Sequence, residues 1–152
     1  MDDCVAHAQL TNTARLAAFI GQCAHESAGF ATTVEYGSGI EYNGRRDLGN
    51  VVKGDGPRYK GRGLIQLTGR ANYRAAGSAL ELPFEANPLM VADFPAAALV
   101  SAWFWNTRHI NPWADRWDLP QVTRLINGGE NGYASRKVYC DRALAALAKL
   151  VK

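Results

Sequence analysis

The chain has 152 residues, 47% of them hydrophobic and 20% charged, which suits one globular domain long enough to bury its own core. Seventeen basic against fourteen acidic side chains leave a net charge of +3, too small a surplus for a nucleic-acid binder and compatible with an anionic polymer. No run of about eighteen apolar residues suggests a membrane span, and Met1-Asp2-Asp3 lacks a basic-then-apolar secretory opening, so the expectation is a chain made and held in the cytoplasm.

Cys4, Cys23 and Cys140 are an odd count at scattered spacing, fitting neither a disulfide framework nor a metal knuckle; buried thiols are expected. The first periodic segment starts at Thr13. Leu16, Phe19, Ile20, Cys23 and Ala24 recur at three- and four-residue steps, with Thr11, Asn12 and Thr13 as cap candidates. This pattern predicts a helix with one buried face, stopped at Ser27-Ala28-Gly29, where glycine takes a left-handed conformation. Glu26 then lies in its last turn.

From Tyr36 to Gly63, eight glycines and one proline are too dense for more than a short strand or two. They read as a long loop that turns tightly or approaches a ligand, ordered by Tyr36, Tyr42 and Tyr59. Leu64-Ile65-Gln66-Leu67 reads as a brief buried strand. Thr68 would cap a helix running to about Leu80, with Ala71, Ala75, Ala76 and Ala79 as its small-residue face. After Pro95, the segment Ala96 to Thr107 is apolar nearly all round and should be the central buried helix, holding Trp103 and Trp105 in the core. Trp113 and Trp117 fall in a loop, open to a core or a ligand role. Asp118 and Pro120 open a helix closed by Gly128-Gly129. A last helix near Ser135 to Leu150 places Leu144, Leu147 and Val151 on one face. The sum is a mainly helical chain, residues 1–152 forming a single domain.

Two carboxylates carry the chemistry. An inverting glycosidase needs a protonated carboxyl at the leaving oxygen and an ionised one that activates water on the opposite face, roughly 6.5 to 9.5 Å away. On a continuous helix the nine steps from Glu26 to Glu35 would separate them by about 13.5 Å along the axis and half a revolution around it. The helix therefore has to break, at Gly29. Glu26, at an apolar helix end, is expected to be desolvated and kept neutral as the acid; Glu35, in a wetter loop, stays charged as the base. Glutamates nine apart are common, so spacing alone does not single them out. His25 precedes the acid but lacks the second histidine of a zinc-protease helix, and His7 and His109 stand alone, so no metal is expected. Gly54-Asp55-Gly56 is not followed by the Gly-Lys-Ser/Thr of a phosphate loop. Tyr59 and Tyr73 are candidate stacking surfaces for sugar rings. Arg58, Lys60, Arg62 and Arg70 form a basic run that reads as a solvated or ion-paired face, or as one that meets wall anions.

Three strings, Phe19-Ile20-Gly21-Gln22-Cys23-Ala24-His25-Glu26-Ser27, Tyr59-Lys60-Gly61-Arg62-Gly63-Leu64-Ile65-Gln66-Leu67-Thr68-Gly69-Arg70-Ala71-Asn72-Tyr73 and Ile126-Asn127-Gly128-Gly129, resemble glycoside hydrolase family 19. This is the family of plant-type chitinases and of many bacteriophage endolysins. The resemblance spans nearly the whole chain and implies a lysozyme-like, bilobal helical fold with a substrate cleft, inverting hydrolysis, and neither metal nor cofactor. It makes Glu26 the general acid, Glu35 the base and Thr68 the hydroxyl that holds the attacking water. Gln66, Asn72 and Asn127 correspond to amides that bind N-acetyl sugars and Arg136 to a basic residue near the acid; His25 is counted with the substrate contacts. Glu130 is an accessory residue in the Arg136 network. Phage-type relatives often read Tyr-Glu-Gly-Arg where this chain has Tyr42-Asn43-Gly44-Arg45. Glu41, two positions earlier on what would be an extended segment, points to the same side as Asn43 and is the alternative base.

The missing plant-type disulfide cysteines and the phage-type Asp47-Leu48-Gly49-Asn50 string favour the endolysin branch. The function implied is hydrolysis of β-1,4 bonds in peptidoglycan, for cell-wall lysis, by a monomer released by a separate holin-type factor. Chitin is the alternative substrate. A non-catalytic glycan-binding relative is the alternative from another class.

Overall fold

The computed structural model describes residues 2–150. Its helices are α1 (Asp2–His7), α2 (Thr13–Glu26), α3 (Asp55–Arg58), α4 (Arg70–Leu80), α5 (Ala96–Thr107), α6 (Asn111–Asp115), α7 (Leu119–Asn127) and α8 (Tyr133–Leu150), with 3₁₀ turns at Ile40–Tyr42, Arg46–Leu48 and Pro88–Ala92. Extended pairing among the described residues amounts to isolated antiparallel bridges, Val34 with Arg62 and Arg62 with Leu67. The fold is mainly helical, as the sequence implies. The strand predicted at Leu64–Leu67 is instead a turn, closed by backbone hydrogen bonds of 3.1 and 2.8 Å between Arg62 and Leu67. Gln66 sits at φ +57° inside it, a conformation that no strand contains.

Two apolar clusters make the core. One gathers Phe19, Cys23, Trp105, Ile110, Leu119, Val122 and Cys140 from α2, α5, α7 and α8 and their connections. The other holds Tyr59, Leu67, Tyr73, Phe84, Val91 and Val100 around α4 and α5. Helix α5 gives Ala97, Ala102 and Trp105 to the first cluster and Ala96 and Val100 to the second, so its all-round apolarity is used on both sides. Trp103 packs against the second cluster, while Trp113 and Trp117 pack against the first. Trp113 lies in the short helix α6 rather than in the predicted loop. In α8, Leu144 and Leu147 are half-buried, whereas Val151 lies outside the described residues.

Two helix starts carry the side-chain caps expected of them. The Asn12 side chain accepts from the Arg15 amide at 2.9 Å, and the Asp118 side chain from the Gln121 amide at 3.1 Å. Gly128 ends α7 at φ +75°. Helix α4 departs from expectation: its N-cap is Gly69, and Thr68 makes no cap bond. The Arg70 amide is satisfied from a distance, by Asn50 Oδ1 at 2.8 Å, while Asn50 Nδ2 donates to the Tyr42 carbonyl at 2.9 Å. Fully buried Asn50 thus ties the glycine-rich loop to α4.

Helices α2 and α8 meet most closely at Gly21. A Cβ there would lie 2.5 Å from the Cys140 amide nitrogen and 2.6 Å from its Cα, so only hydrogen fits. The three cysteines are free and buried, as expected, and burial pushes the Cys140 thiol up to about 12.

Substituting Gly21→Ala should force the two helices apart and destabilise the protein by about 1–3 kcal/mol, read as a lower urea midpoint with an unchanged slope. Acid should act elsewhere. Hydrogen bonds from Arg74 and Arg70 lower Glu85 from 4.5 to about 2. A carboxylate with a depressed folded pKa stabilises above its unfolded pKa and loses that contribution as pH falls through the folded value. Urea midpoints should therefore fall between about pH 4.5 and pH 2, and Glu85→Gln should flatten that decline.

Candidate active site

Helix α2 delivers Glu26 as its last residue. Beyond it, Ala28, Gly29 and Phe30 all take positive φ, at +52°, +75° and +66°. The Ser27 side chain accepts from the Phe30 amide at 3.0 Å, and the Ser27 carbonyl from the Thr32 amide at 3.2 Å. The helix breaks where the sequence predicts. The turn brings the chain back, leaving three residues, about 10 Å of extended backbone, before Glu35.

The surroundings of Glu26 are not the apolar ones expected. Arg136, from the first turns of α8, places Nη2 at 2.5 Å from Glu26 Oε1 and Nη1 at 2.7 Å from Gln22 Oε1. The Arg136 side chain is 3% exposed and that of Glu26 21%. Gln22 is fully buried on α2 and its Nε2 donates to Thr123 at 3.4 Å. Arg136 Nε reaches the Asn131 carbonyl at 3.2 Å. Oε2 of Glu26 has no protein partner among the described residues. His25 sits beside this group with Nδ1 3.1 Å from Ser135 Oγ and its ring against Gly132. Burial first, then Arg136, lowers its pKa.

Glu35 is half-buried and held at both oxygens. The Tyr42 hydroxyl donates to Oε1 at 3.0 Å and the Gly61 amide to Oε2 at 2.8 Å. Its own amide donates to the Gly61 carbonyl at 2.9 Å, so the acid is bound to the opposing segment by backbone and side chain together. Burial and the neighbouring Glu35 carboxylate raise the Tyr42 pKa, keeping the phenol a donor. Lys60 Nζ ties the carbonyls of Glu35 and Gly37 at 3.1 and 2.8 Å. Gln66 closes the group: a Cβ on Gly61 would lie 2.7 Å from Gln66 Oε1 and 2.9 Å from Glu35 Oε2. Only glycine leaves these two side chains their positions.

Glu41 also faces this acid, since a Cβ on Gly37 would lie 2.8 Å from Glu35 Oε1 and 3.4 Å from Glu41 Oε1. The reason differs from the predicted one. Ile40–Tyr42 is a 3₁₀ turn, not an extended segment, and Asn43 turns instead to accept from the Gly56 amide at 3.0 Å. Thr68 donates its hydroxyl proton to the Gln66 carbonyl at 2.9 Å, and Asn72 Nδ2 donates to the Thr68 carbonyl at 2.7 Å. Asn127 is exposed at the last position of α7.

Three expectations are corrected. Tyr59 and Tyr73 are 2% and 0% exposed and meet edge to face at 5.4 Å, so they are core residues and not platforms for sugar rings. Their hydroxyls are spent on the carbonyls of Glu85 and Lys60, and burial raises Tyr73 to about 12. Glu130 pairs with Arg124, not Arg136. In the basic run, Arg62 is 5% exposed and donates to the carbonyls of Arg58 and Lys60 and to Tyr73, which fixes the loop from inside. What sequence reasoning missed is the support that Tyr42, Lys60, Gln22 and Arg62 give to the acids and their loop. Gln22 alone carried a signal, as a polar side chain inside an apolar helical stripe.

Residues 4–115 match the family model described as chitinase class I, of glycosyl hydrolase family 19. The chain belongs to glycoside hydrolase family 19. The matched span of this family 19 chain contains Glu26, Glu35 and Thr68, while Asn127 and Arg136 lie beyond it. Chitinase 8 of Oryza sativa subsp. japonica is 41% identical over 149 residues, covering 84% of this chain and 56% of the rice protein. Chitinase 11 of the same plant is 35% identical and is covered over 62% of its length, so the chain spans roughly three fifths of these relatives. A glycosyl hydrolase family 19 domain-containing protein of Haemophilus influenzae is 30% identical, with 84% of this chain and 78% of that protein covered. Among solved structures, chitinase C from Streptomyces griseus superposes with a TM-score of 0.74 at 24% identity, over 95% of this chain and 68% of that one. A bacterial family 19 chitinase does so with 0.72 at 26%, over 88% and 73%.

Removing Arg136 should be costly, since Gln22 Oε1 loses its donor and the part-buried Glu26 its counter-charge. Arg136→Ala is expected to destabilise the protein by about 2–3 kcal/mol, measured by urea unfolding at pH 7. Adding Glu26→Gln should recover part of that loss, because the neutral amide no longer needs a cation.

Proposed function

We propose that this protein hydrolyses the β-1,4 bonds of glycans built from N-acetyl sugars, with inversion at the anomeric carbon, and that peptidoglycan is its substrate in an endolysin-type lysis of the bacterial wall. Residues 1–152 act in this reading as one monomeric catalytic domain, let out to the wall by a separate holin-type factor. The observation that carries it is the pair of carboxylates held by different donors: Glu26 by a guanidinium at one oxygen, Glu35 by a phenol and an amide at both.

Glu26 gives its proton from Oε2 to the glycosidic oxygen as the bond to the anomeric carbon breaks. Arg136, already at Oε1, receives the carboxylate that this step leaves. On the other side, Glu35 takes a proton from water, whose oxygen attacks the anomeric carbon from the face opposite the leaving group. Thr68 holds that water. Its proton is committed to the Gln66 carbonyl, so its oxygen is left as an acceptor and orients the nucleophile. Gln66, Asn72, Asn127 and His25 contact the N-acetyl sugars, with Gln66 beside the base.

Chitin is the second reading, favoured by the relatives named as chitinases in rice and Streptomyces griseus. Purified peptidoglycan and chitin oligomers assayed side by side decide between them. Glu26→Gln and Glu35→Gln should each lower turnover by about 10²–10⁴-fold while glycan binding persists, and the first product seen by NMR should be the α anomer. Glu41→Gln should cost far less than Glu35→Gln; the reverse order would make Glu41 the base. Unchanged turnover in both Glu26→Gln and Glu35→Gln would remove the mechanism.

A further inference from the structure

One large groove lies away from both Glu26 and Glu35. It has a volume of about 960 Å³ and runs between α3, α4 and the segment 81–86, and none of Glu26, Glu35, Gln66, Thr68 or Asn72 lines it. Four cations do: Lys53, Arg58, Arg70 and Arg74. Three carboxylates, Asp55, Glu81 and Glu85, share the lining. Two of these act as struts. Glu85 takes Arg70 Nε at 2.9 Å and Arg74 Nε and Nη2 at 2.7 Å each, and Asp55 lies 3.5 Å from Arg70 Nη1. Arg58 is fixed differently, by Nε on the Tyr59 hydroxyl at 3.2 Å and Nη2 on the Ala86 carbonyl at 2.9 Å.

This bonding leaves a pattern. Among the described residues, Arg58 Nη1, Arg70 Nη2 and Arg74 Nη1 have no protein acceptor, and Lys53 is exposed with no carboxylate partner. Three guanidinium groups are immobilised by some of their nitrogens while the others stay available. Such preorganisation lowers the entropy lost on binding a multidentate oxyanion, and guanidinium forks suit phosphate geometry. The volume is near the upper end of ligand pockets, about 300–1,000 Å³, and exceeds what a single ion needs.

We propose that this groove is an accessory site for a phosphodiester polymer, a chain of repeating phosphates held by Arg58, Arg70, Arg74 and Lys53 while the catalytic face works on the glycan. The site depends on none of the catalytic residues. Its binding therefore survives even if the hydrolytic reading fails.

The test is calorimetric titration of Glu26→Gln protein with a short poly(glycerol phosphate), with inorganic phosphate, and with a neutral chitin oligomer. The phosphate polymer should bind, weaken with salt, and shift the NMR amide signals of residues 53–58 and 70–86. Lys53→Gln with Arg74→Gln, both at exposed positions, should lower its affinity about tenfold or more without changing chitin-oligomer binding, the titration being run well below the melting temperature of the double variant, which loses the Arg74 bonds to Glu85. Equal polymer binding by the double variant and its parent overturns the proposal, as does absence of polymer binding or of shifts at those residues. Inorganic phosphate binding there as tightly as the polymer would also overturn it, assigning the groove to the free ion.

Discussion

The approach of α2 to α8 at Gly21 and Cys140 is the contact on which the acid's surroundings depend. A hydrogen in place of a side chain lets the two backbones close, and Cys140 Sγ reaches the Ala18 carbonyl at 3.7 Å. From Gly21, five residues along α2, about 7.5 Å of rise, lead to Glu26. Going back four residues from Cys140 along α8, about 6 Å, leads to Arg136. The helices run antiparallel, so both paths advance toward the same end and the carboxylate meets the guanidinium. Gln22, one step beyond the contact, supplies the second acceptor. The buried cation is therefore fixed by helix register rather than by a mobile loop, and each of its three nitrogens donates once, to the Asn131 carbonyl, Gln22 and Glu26.

Glu35 is held on other principles. Between Tyr36 and Gly63 the chain offers little apolar surface to bury; Tyr36, Ile40, Val51 and Val52 are all exposed. Order comes from side chains that satisfy backbone groups, each offsetting part of the entropy cost of fixing a loop. Lys60 gathers the carbonyls on either side of Tyr36, Asn43 takes the Gly56 amide, Asn50 links Tyr42 to α4, and Arg62 works from inside. A loop held this way fixes Glu35 by polar contacts at both oxygens and leaves it half-buried. The carboxylate stays accessible and does not swing free.

Periodicity made the long helices legible, and Gly29 marked where α2 had to end. Residues 64–67 misled because three apolar residues around Gln66 look alike in a strand and in a buried turn, and the positive φ at Gln66 separates them. Tyr59 and Tyr73 misled for a related reason: an aromatic with a hydroxyl suits a sugar platform and a satisfied core position equally well, and burial alone distinguishes them. Asn50 was visible in the sequence as part of a motif string but not as a cap, because its partner lies twenty residues on. Long-range polar bonds leave no local pattern. Glu130 was assigned to Arg136, yet Arg124, equally six residues away in sequence, holds it.

In the mechanism proposed above, the two glutamates take opposite parts through their oxygens more than through burial. Desolvation was the expected lever on Glu26, yet a guanidinium stands beside it, and a cation at that distance complements the anion. The division of labour lies in the atoms. At Glu35 both oxygens already accept a proton donor, Tyr42 O–H at one and Gly61 N–H at the other, an arrangement matched to an ionised group that next accepts from water. At Glu26 the cation engages Oε1 and leaves Oε2 without a protein donor. A proton can sit on Oε2 without turning against any neighbouring N–H, and once it is given up Arg136 is in position to hold the charge. In that proposal one oxygen keeps the anion after the step, and the other carries the proton before it.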